Sequence, residues 1–302
     1  MSTDVRTQLS FGLKTSQQGA EYGRIVELWH EADENPLFEH AWLWDHMLPL
    51  RGDVRQATLE AWTLLGALAA QTKRMRIGVI VTSNRLRPPA LLAKMAATVD
   101  QISGGRLILG IGAGGSRVTD QAGLELVLRE FNAYGIDVVS TAEAIVALDE
   151  ACTIIRRMWT ETEPFDFDGR YYQLSGTVCE PKPIQRPGPP ILIGSAGAKL
   201  GLRVVAQHAG LWNCPARTPD DFRAMNQTLI DHCAAIGRDP DEIVRQVQIL
   251  VRSDDPDSAR AQVTGFIGAG VTNVVLAPIP PYRESPVAWL AREVIEPVLA
   301  TT

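Results

Sequence analysis

The sequence predicts an α/β protein of the (β/α)8 TIM-barrel class, on three observations. Short apolar runs rich in β-branched residues alternate with helical apolar patterns, and eight such strand–helix units follow one another along the 302 residues. Eight units are more than one doubly wound nucleotide-binding sheet uses. Polar or glycine-containing stretches follow the predicted strands, where barrel enzymes place their active sites. A chain of this length can bury one large barrel core or two smaller domains, and the unit count favours the barrel.

The first four units occupy the N-terminal half of the chain. Their strands are predicted at residues 9–13, 41–44, 75–81 and 106–111. The helices after the first three strands are predicted at residues 21–34, 59–71 and 89–102, and Pro89 suits the first turn of the third helix. The helix of the fourth unit is delayed until about residues 142–159, which leaves a long insertion after the fourth strand.

A second insertion precedes the fifth strand. The segment FDFDGRYYQL alternates aromatic residues around Asp168 and Gly169, and it predicts a β-hairpin. The last four strands are predicted at residues 190–194, 211–213, 247–251 and 272–276. The helices that follow them are predicted at residues 198–208, 219–236, 257–267 and 286–299.

Composition excludes several classes of function. The formal net charge is -6 with no block of Lys and Arg, which argues against a nucleic-acid partner. The four cysteines are scattered with no C-x-x-C pair, so neither a metal site nor a disulfide framework is expected. The N-terminal residues lack the pattern of a signal peptide, and no apolar stretch approaches the length of a membrane span. We therefore expect a cytoplasmic protein without a membrane partner.

The stretch ISGGRLILGIGAGGS, at residues 102–116, admits two interpretations. Gly110, Gly112 and Gly115 formally satisfy G-x-G-x-x-G, the pattern of a dinucleotide-binding turn. The count of units instead makes this stretch the fourth strand of a barrel, and its glycines then lie at the end of that strand.

Asp45 and His46 follow the second predicted strand. An imidazole with an unperturbed pKa near ~6.5 can exchange protons at neutral pH, and an adjoining carboxylate can organise the polar end of a cofactor. A local cap or salt bridge is the alternative for such a pair, and the position after a barrel strand favours the catalytic interpretation. Lys14 and Arg85 are candidates for contact with an anionic substrate, against the commoner role of a solvated charge.

Glycine-containing loops follow the fourth and fifth predicted strands, at residues 112–116 and 194–197. Glycines let backbone amides approach a ligand closely, and the GSAG sequence of the second loop, placed before a helix, could present amides and a hydroxyl to a phosphate. A tight turn is the alternative for any single glycine. Two such loops on adjacent strands point to a phosphorylated planar cofactor.

Four segments together resemble the luciferase-like monooxygenase superfamily, and within it the branch of oxidoreductases that depend on the deazaflavin coenzyme F420. They are WLWDHMLP, LEAWTLLGALAAQTKRMRIGVIVTSNRLRPPALLAKMAATVDQISGGRLILGIGAG, FDGRYYQL and EPKPIQRPGPPILIGSAG. They run from the second predicted strand to the fifth, and their order and spacing carry the resemblance.

The resemblance implies one barrel domain over residues 1–302 and, usually, a homodimer. It implies an oxidoreductase that transfers a hydride between coenzyme F420 and a small organic substrate. In that branch Asp45 would contact the coenzyme, and His46 would give or take the proton that accompanies the hydride. An oxygen-activating monooxygenase with FMN is the alternative, and a barrel that binds a flavin or deazaflavin without turnover is a third possibility.

The resemblance also implies where the cofactor lies. A non-prolyl cis peptide bond that bulges against the cofactor ring is expected near Ile80 and Val81. Ala113 and Gly114 are expected beside the ring or its side chain. The residues expected towards the phosphate are Gly194, Ser195, Ala196 and Gly197.

Two departures and one variable region bear on the substrate. The glucose-6-phosphate dehydrogenase branch has glutamates where this chain has Gln18 and Gly115, which argues against sugar-phosphate dehydrogenation by the same acid–base arrangement. Residues 117–136 are expected to form much of the substrate pocket. Its apolar residues, which suggest an apolar or mixed small organic substrate, are Leu124, Leu126, Val127, Leu128 and Phe131.

Overall fold

The computed structural model describes residues 9–114, 121–280 and 282–301 of the chain. Its strands are β1 (Ser10–Lys14), β2 (His40–Leu43), β3 (Arg76–Val79), β4 (Thr82–Ser83), β5 (Leu107–Gly112), β6 (Phe165–Asp168), β7 (Gln173–Thr177), β8 (Ile191–Gly194), β9 (Leu211–Asn213), β10 (Val244–Arg252) and β11 (Asn273–Ile279). Eight of them form a closed parallel barrel in the order β1, β2, β3, β5, β8, β9, β10, β11, because β1 pairs with β11 and β3 pairs with β5. The predicted TIM barrel is therefore confirmed.

Helices surround this barrel. They are α1 (Tyr22–Glu34), α2 (Ala61–Gln71), α3 (Pro89–Ser103), α4 (Gln121–Ala133), α5 (Thr141–Thr160), α6 (Gly201–His208), α7 (Pro219–Ala235), α8 (Pro256–Ile267), α9 (Pro286–Leu290) and α10 (Glu296–Leu299). A 3-10 turn at Pro240–Glu242 precedes β10, and a π-helical turn at Ala291–Ile295 joins α9 to α10. Capping boxes begin two of the longest helices: Ser140 with Glu143 at α5, and Thr218 with Asp221 at α7.

Apolar residues form two layers. The outer layer lies between strands and helices, and it includes Trp29, Leu65 and Leu68, each fully buried. The inner layer lies inside the barrel and consists of Trp42, Ile80, Ile108, Leu192, Leu211 and Val275. Burial of apolar surface contributes roughly 25 cal/mol of stabilising free energy per Å² and favours the closed barrel. The carboxyl ends of the strands remain open for a site.

The departures from the predicted elements concentrate at the strand ends. Strand β3 ends at Val79, a cis peptide bond joins Ile80 to Val81, and β4 then pairs with β5. The expected position of the non-prolyl cis bond is confirmed. The long connection after β5 contains a helix, α4, that was not predicted, and α6 begins at Gly201 instead of residue 198. The predicted hairpin before the fifth barrel strand is confirmed as antiparallel β6 and β7.

A single domain over the whole chain stays a prediction. In the part of the chain that the structure describes, every helix is too short or too polar to cross a membrane.

Candidate active site

A cavity of about 1040 Å³ opens at the carboxyl ends of the barrel strands. Such a volume suits a cofactor-sized ligand with a small substrate beside it. All ten sequence-predicted site residues line it, namely Asp45, His46, Ile80, Val81, Ala113, Gly114, Gly194, Ser195, Ala196 and Gly197. Apolar residues of α4 and α5 complete one wall, among them Val127, Phe131 and Ile145. Of the apolar residues expected in the substrate pocket, Val127 and Phe131 line the cavity, and the side chain of Leu124 lies outside the described part of the chain.

The Val81 side chain lies against the ends of β5 and β8. A β-carbon placed on Gly112 would lie 2.9 Å from Cγ2 of Val81, and one placed on Gly194 would lie 3.1 Å from both of its γ-carbons. These two glycines therefore make room for the valine that follows the cis bond. Gly114 has φ +81°, a left-handed conformation that favours glycine, and a β-carbon there would meet the Ser83 hydroxyl at 2.3 Å.

His46 is held by a buried carboxylate that the sequence analysis missed. Its Nδ1 lies 3.1 Å from Oε2 of Glu130, whose side chain is only 5% exposed. The other oxygen of Glu130 accepts hydrogen bonds from the backbone N–H groups of Met47 (2.6 Å) and Leu48 (3.2 Å). The His46 ring also meets the Trp44 indole edge to face, with centroids 5.4 Å apart. Four contacts therefore fix this strand end around the imidazole.

Burial by itself raises the pKa of the Glu130 carboxyl, but the hydrogen bond and charge of His46 and the two backbone N–H groups outweigh it, so the pKa lies below its ordinary value. Glu130 is thus a carboxylate at neutral pH, and an ionised carboxylate only accepts hydrogen bonds. Nδ1 of His46 must then carry a proton. Nε2 is the ring nitrogen without a hydrogen-bond partner among the described residues.

Asp45 forms a buried ion pair with Arg87. Its oxygens lie 2.8 Å and 3.1 Å from the two terminal guanidinium nitrogens, and Oδ2 also accepts the backbone N–H of Ser83 at 3.0 Å. Burial raises the pKa of the Asp45 carboxyl, and the charge and hydrogen bonds of Arg87 oppose that shift. Arg87 also contacts Glu60, which caps α2. The pair therefore ties the end of β2 to β4 and to α2 below the cavity.

Lys14 lines the same cavity from the end of β1. Its Nζ donates a 2.7 Å hydrogen bond to the side-chain oxygen of Gln248 on β10. Burial lowers the pKa of Lys14 from 10.5 to about 8. Arg85, the other predicted candidate for an anionic substrate, donates to the backbone carbonyl of Asp137, and it is not among the residues that line the cavity.

A chain of side-chain amides continues from Lys14 through the barrel interior. Gln248 donates to Asn213 (2.8 Å), Asn213 to Gln246 (3.0 Å), and Gln246 to Asn273 (2.8 Å). We call these four residues the amide ladder. Each amide uses both its oxygen and its nitrogen along the ladder, except at the Asn273 end, so the groups are mutually satisfied. The amide ladder therefore adds a polar, uncharged layer to the part of the barrel interior formed by β9, β10 and β11, beside the apolar side chains of Leu211 and Val275.

The loop 194–197 lies at the end of β8, with its Ser195 carbonyl accepting the indole N–H of Trp212 at 2.8 Å. The residues between this loop and α6 form a turn, and Leu202 N–H donates to the carbonyl of Gly197 at 2.9 Å. The helix N-terminus that was expected to follow directly thus lies further along the chain.

The residues present fit a planar ring with polar edges. The ring would lie against the apolar side chains of Ile80 and Val81. The indole N–H of Trp44, another residue of the cavity wall, is buried and has no hydrogen-bond partner within the described part of the chain. Because an unpaired buried donor costs free energy, this N–H is a specific point where a polar ligand or water would bind.

No group of three or more His, Cys, Asp or Glu side chains among the described residues could hold an ion. The four cysteines are buried, and they form no disulfide with one another.

Gln18 and Gly115 mark the two positions where a glutamate would be expected in the sugar-phosphate branch. The Gln18 amide contacts the loop after β2: it donates to the Arg51 carbonyl (2.6 Å) and to Gln56 (2.8 Å), and it accepts from Leu50 N–H (3.0 Å). Gln18 does not line the cavity. Gly115 and residues 117–120 of the expected substrate region lie outside the described residues.

Glu130 and Gln248 are two of the site residues that sequence analysis did not single out. Glu130 lies on the unpredicted helix α4, and Gln248 lies inside β10, which was predicted only as residues 247–251. The alternation of Gln246 and Gln248 with Val247 and Ile249 is a signal that could have found an inward-facing polar side of this strand.

Comparison with known proteins places these features in a family. The family model described as luciferase-like monooxygenase matches residues 4–289. A phthiodiolone/phenolphthiodiolone dimycocerosates ketoreductase of Mycobacterium sp. (strain JLS) is 30% identical over 256 residues, which are 80% of this chain and 62% of that protein. An F420-dependent glucose-6-phosphate dehydrogenase of Kineococcus radiotolerans is 29% identical over 263 residues, 85% of this chain and 72% of that protein.

The fold has a near match among solved structures. A structure of an F420-dependent secondary alcohol dehydrogenase, in complex with an F420-acetone adduct, superposes with a TM-score of 0.83. The alignment covers 97% of this chain and 99% of that one at 18% identity. At this identity the match supports the barrel fold.

Proposed function

Because this chain belongs to the luciferase-like monooxygenase family, we propose that it is an oxidoreductase that transfers a hydride between coenzyme F420 and a small organic substrate. The observation that carries the proposal is the His46–Glu130 contact at the wall of a cofactor-sized cavity. Relatives with F420-dependent activity, including the dehydrogenase of Kineococcus radiotolerans, support the choice of cofactor.

The chain's residues divide the work of binding and orienting. Ile80 and Val81 would support one face of the deazaflavin ring, with Ala113 and Gly114 beside it. Residues 194–197 would meet the phosphate of the coenzyme side chain. When bound, the deazaflavin supplies the hydride donor or acceptor. The apolar residues of α4 would exclude water from the reacting faces.

His46 would handle the proton. Glu130 fixes the Nδ1–H tautomer, so Nε2 is the nitrogen free to give a proton to a substrate oxygen or to take one from it. The same carboxylate stabilises the imidazolium form, so His46 can be either the acid or the base, depending on the direction of the reaction.

Asp45 has two proposed roles. Its carboxylate holds Arg87 and Ser83 N–H, which positions the segment after the cis bond. Asp45 also lies in the cavity wall, so we predict that it contacts the bound coenzyme.

We propose a substrate other than a sugar phosphate. The side chain at position 18 is a neutral amide that bonds to the loop after β2 and does not line the cavity, so it supplies no carboxylate to an acid–base arrangement. A homodimer and a cytoplasmic location stay predictions. Sedimentation of the purified chain would measure the first of them.

Titration of the purified protein with coenzyme F420 and, separately, with FMN tests the proposal. We expect saturable binding of F420, followed as a change in deazaflavin fluorescence. We also expect the absorbance of the bound deazaflavin to fall or recover when a substrate is added. Tight FMN binding with oxygen-dependent turnover, and no affinity for F420, would replace the proposal with an FMN monooxygenase. Binding of F420 without turnover of any alcohol, ketone or aldehyde in a broad screen would favour a non-catalytic binding protein.

A further inference from the structure

We propose that the substrate of this protein carries a carboxylate, bound by the Lys14 ammonium, on an otherwise apolar body. The proposal deepens the function proposed above, on which it rests for the identity of the cavity as the substrate site. It concerns the side of the cavity opposite the loop 194–197.

Lys14 is a cation without a compensating acid. Its hydrogen-bond partner is the neutral amide of Gln248, and no carboxylate oxygen of the described residues lies within 4.0 Å of its Nζ. A partly buried ammonium normally pairs with an anion, because a neutral amide does not compensate its charge. The missing anion is therefore best supplied by a ligand.

Among the described residues, the neighbouring elements provide no other counter-charge for Lys14. The amide ladder of β9, β10 and β11 is neutral, and its groups bond to one another. The carboxylates of the cavity wall are committed elsewhere: Asp45 to Arg87, Glu130 to His46, and Asp221 to the capping box of α7.

The remaining charged or titratable neighbours do not neutralise Lys14 either. Arg217, on the rim of the cavity, adds positive charge. On the outer side of β1, Lys14 also lines a small cavity of about 50 Å³ with Arg24 and Tyr282. Arg24 is paired with Glu27, and burial raises the pKa of the Tyr282 phenol, which keeps it neutral. The electrostatic balance around Lys14 is therefore positive.

The barrel order separates Lys14 from the proposed phosphate site. Around the closed ring, β1 and β8 stand four strands apart in either direction. Lys14 ends β1 and residues 194–197 follow β8, so the two sites lie across the barrel mouth from each other. An anionic group at Lys14 and an anionic group at residues 194–197 are therefore two different groups of the bound ligands. We assign the group at Lys14 to the substrate.

The size and lining of the cavity define the rest of the substrate. The aliphatic and aromatic side chains of Leu50, Val127 and Phe131 share the cavity with Lys14. They favour an apolar body over a polyhydroxylated one, since apolar surface gains most from burial there. The class is therefore an apolar monocarboxylic acid with an oxidisable or reducible carbon.

The titration of Lys14 supports the proposal. With its pKa lowered to about 8, Lys14 is mostly an ammonium at pH 7 and mostly a neutral amine above pH 9. Carboxylate binding should weaken through that interval.

The test compares carboxylates with neutral amides of the same shape: benzoate with benzamide, 3-phenylpropanoate with its amide, and hexanoate with its amide. Binding is measured by calorimetry at pH 7, with and without F420, on the natural protein and on Lys14→Met. Lys73→Met is the matched control, since Lys73 is exposed and precedes β3 at the opposite end of the barrel.

For at least one pair we expect the natural protein and Lys73→Met to bind the acid about tenfold or more tightly than the amide, as a charge-assisted contact allows. Lys14→Met should lose this preference while its F420 affinity changes by less than about threefold. The preference of the natural protein should fall between pH 7 and pH 9, around the pKa of about 8.

Three results would overturn the proposal. One is the absence of a carboxylate preference in all three pairs. Another is a preference that survives in Lys14→Met. The third is a large loss of F420 affinity in Lys14→Met, which would assign Lys14 to the coenzyme's own anionic side chain. Failure of the natural protein to bind F420 would overturn the proposed function instead, and the paired titrations without F420 would still decide the role of Lys14.

Discussion

His46 and Lys14 lie on the wall of one cavity and are held in opposite ways. His46 contacts a buried carboxylate, Glu130, that also binds two backbone N–H groups. Lys14 contacts a neutral amide and continues into the amide ladder. The difference lies in the partner's charge, because both contacts are hydrogen bonds of ordinary length.

The charge of its hydrogen-bond partner assigns a role to each of these protonatable groups. A carboxylate stabilises the protonated imidazole and fixes which nitrogen carries the permanent proton, so the ring can pass the other proton in either direction. A neutral amide orients an ammonium and leaves its charge uncompensated, so the cation can bind an anion. We therefore treat His46 as the proton carrier and Lys14 as a binding residue.

The largest effect is expected from His46→Ala. Loss of the proton carrier should lower kcat by roughly 10²–10⁴-fold, the usual contribution of a general acid or base. The F420 affinity should stay near that of the natural protein, because the proposed ring contacts come from other residues. Steady-state kinetics and fluorescence titration measure the two quantities separately. Unchanged turnover would show that His46 is not the proton carrier, and the proposed difference in role between His46 and Lys14 would be wrong.

A smaller effect is expected from Glu130→Gln, which makes the partner of His46 neutral like the partner of Lys14. Glutamine keeps an acceptor for the Met47 and Leu48 N–H groups, so the fold should be preserved. We expect kcat to fall by about ten- to hundredfold, since hydrogen bonds to charged groups are worth ~1.5–3 kcal/mol.

The split between kcat and KM separates positioning of the imidazole from a merely structural role for Glu130. In Glu130→Gln the loss should fall on kcat, with the KM of the substrate and the F420 affinity little changed, because the imidazole is misoriented while the binding residues are intact. A rise in KM or a loss of F420 affinity that accounts for the drop in kcat/KM would mean that Glu130 only supports the backbone after β2. Far-UV circular dichroism of the variant checks that the barrel is intact.

The smallest effect is expected on stability, from Lys14→Met. Removal of a desolvated cation should leave the melting temperature at pH 7 unchanged or raise it by no more than about 2 °C, since about 1 kcal/mol shifts a domain of 150–250 residues by roughly 2–4 °C and a larger one by less. A clear loss of stability would indicate that Lys14 has a packing role, and it would argue against Lys14 as a residue kept for binding an anion.

The sign of the pH dependence follows from the lowered pKa. Between the folded value of about 8 and the ordinary value of 10.5, the unfolded chain binds more protons at Lys14 than the folded one. The natural protein therefore gains stability at this site as pH rises through that window. The advantage of Lys14→Met should be greatest below pH 8 and should shrink towards pH 10, as thermal melts at several pH values would show.

Much of the fold and of the cavity wall could be predicted because both depend on local pattern. The eight apolar runs and the residues directly after them are read along the chain, and barrel topology then places Asp45, His46 and the two glycine loops at one face. The role of Gly112 and Gly194 could not be read in this way. They accommodate Val81, a residue of the turn between β3 and β4, and that approach exists only once the barrel is closed.

The contacts that give His46 and Lys14 their roles are equally non-local. Glu130 lies 84 residues from His46 on a helix, α4, that was not predicted, and Gln248 lies 234 residues from Lys14. Sequence periodicity reports which face of an element is buried, and it carries no information about which side chain from a distant element will meet it.

The sequence by itself thus determined the barrel, the family resemblance and the set of residues at the strand ends. The tertiary structure decided which of these residues is paired with a charge and which is not. The physical reason is that the electrostatic role of a side chain depends on its neighbours within a few ångströms, and closure of the eight-stranded ring brings those neighbours from far along the chain.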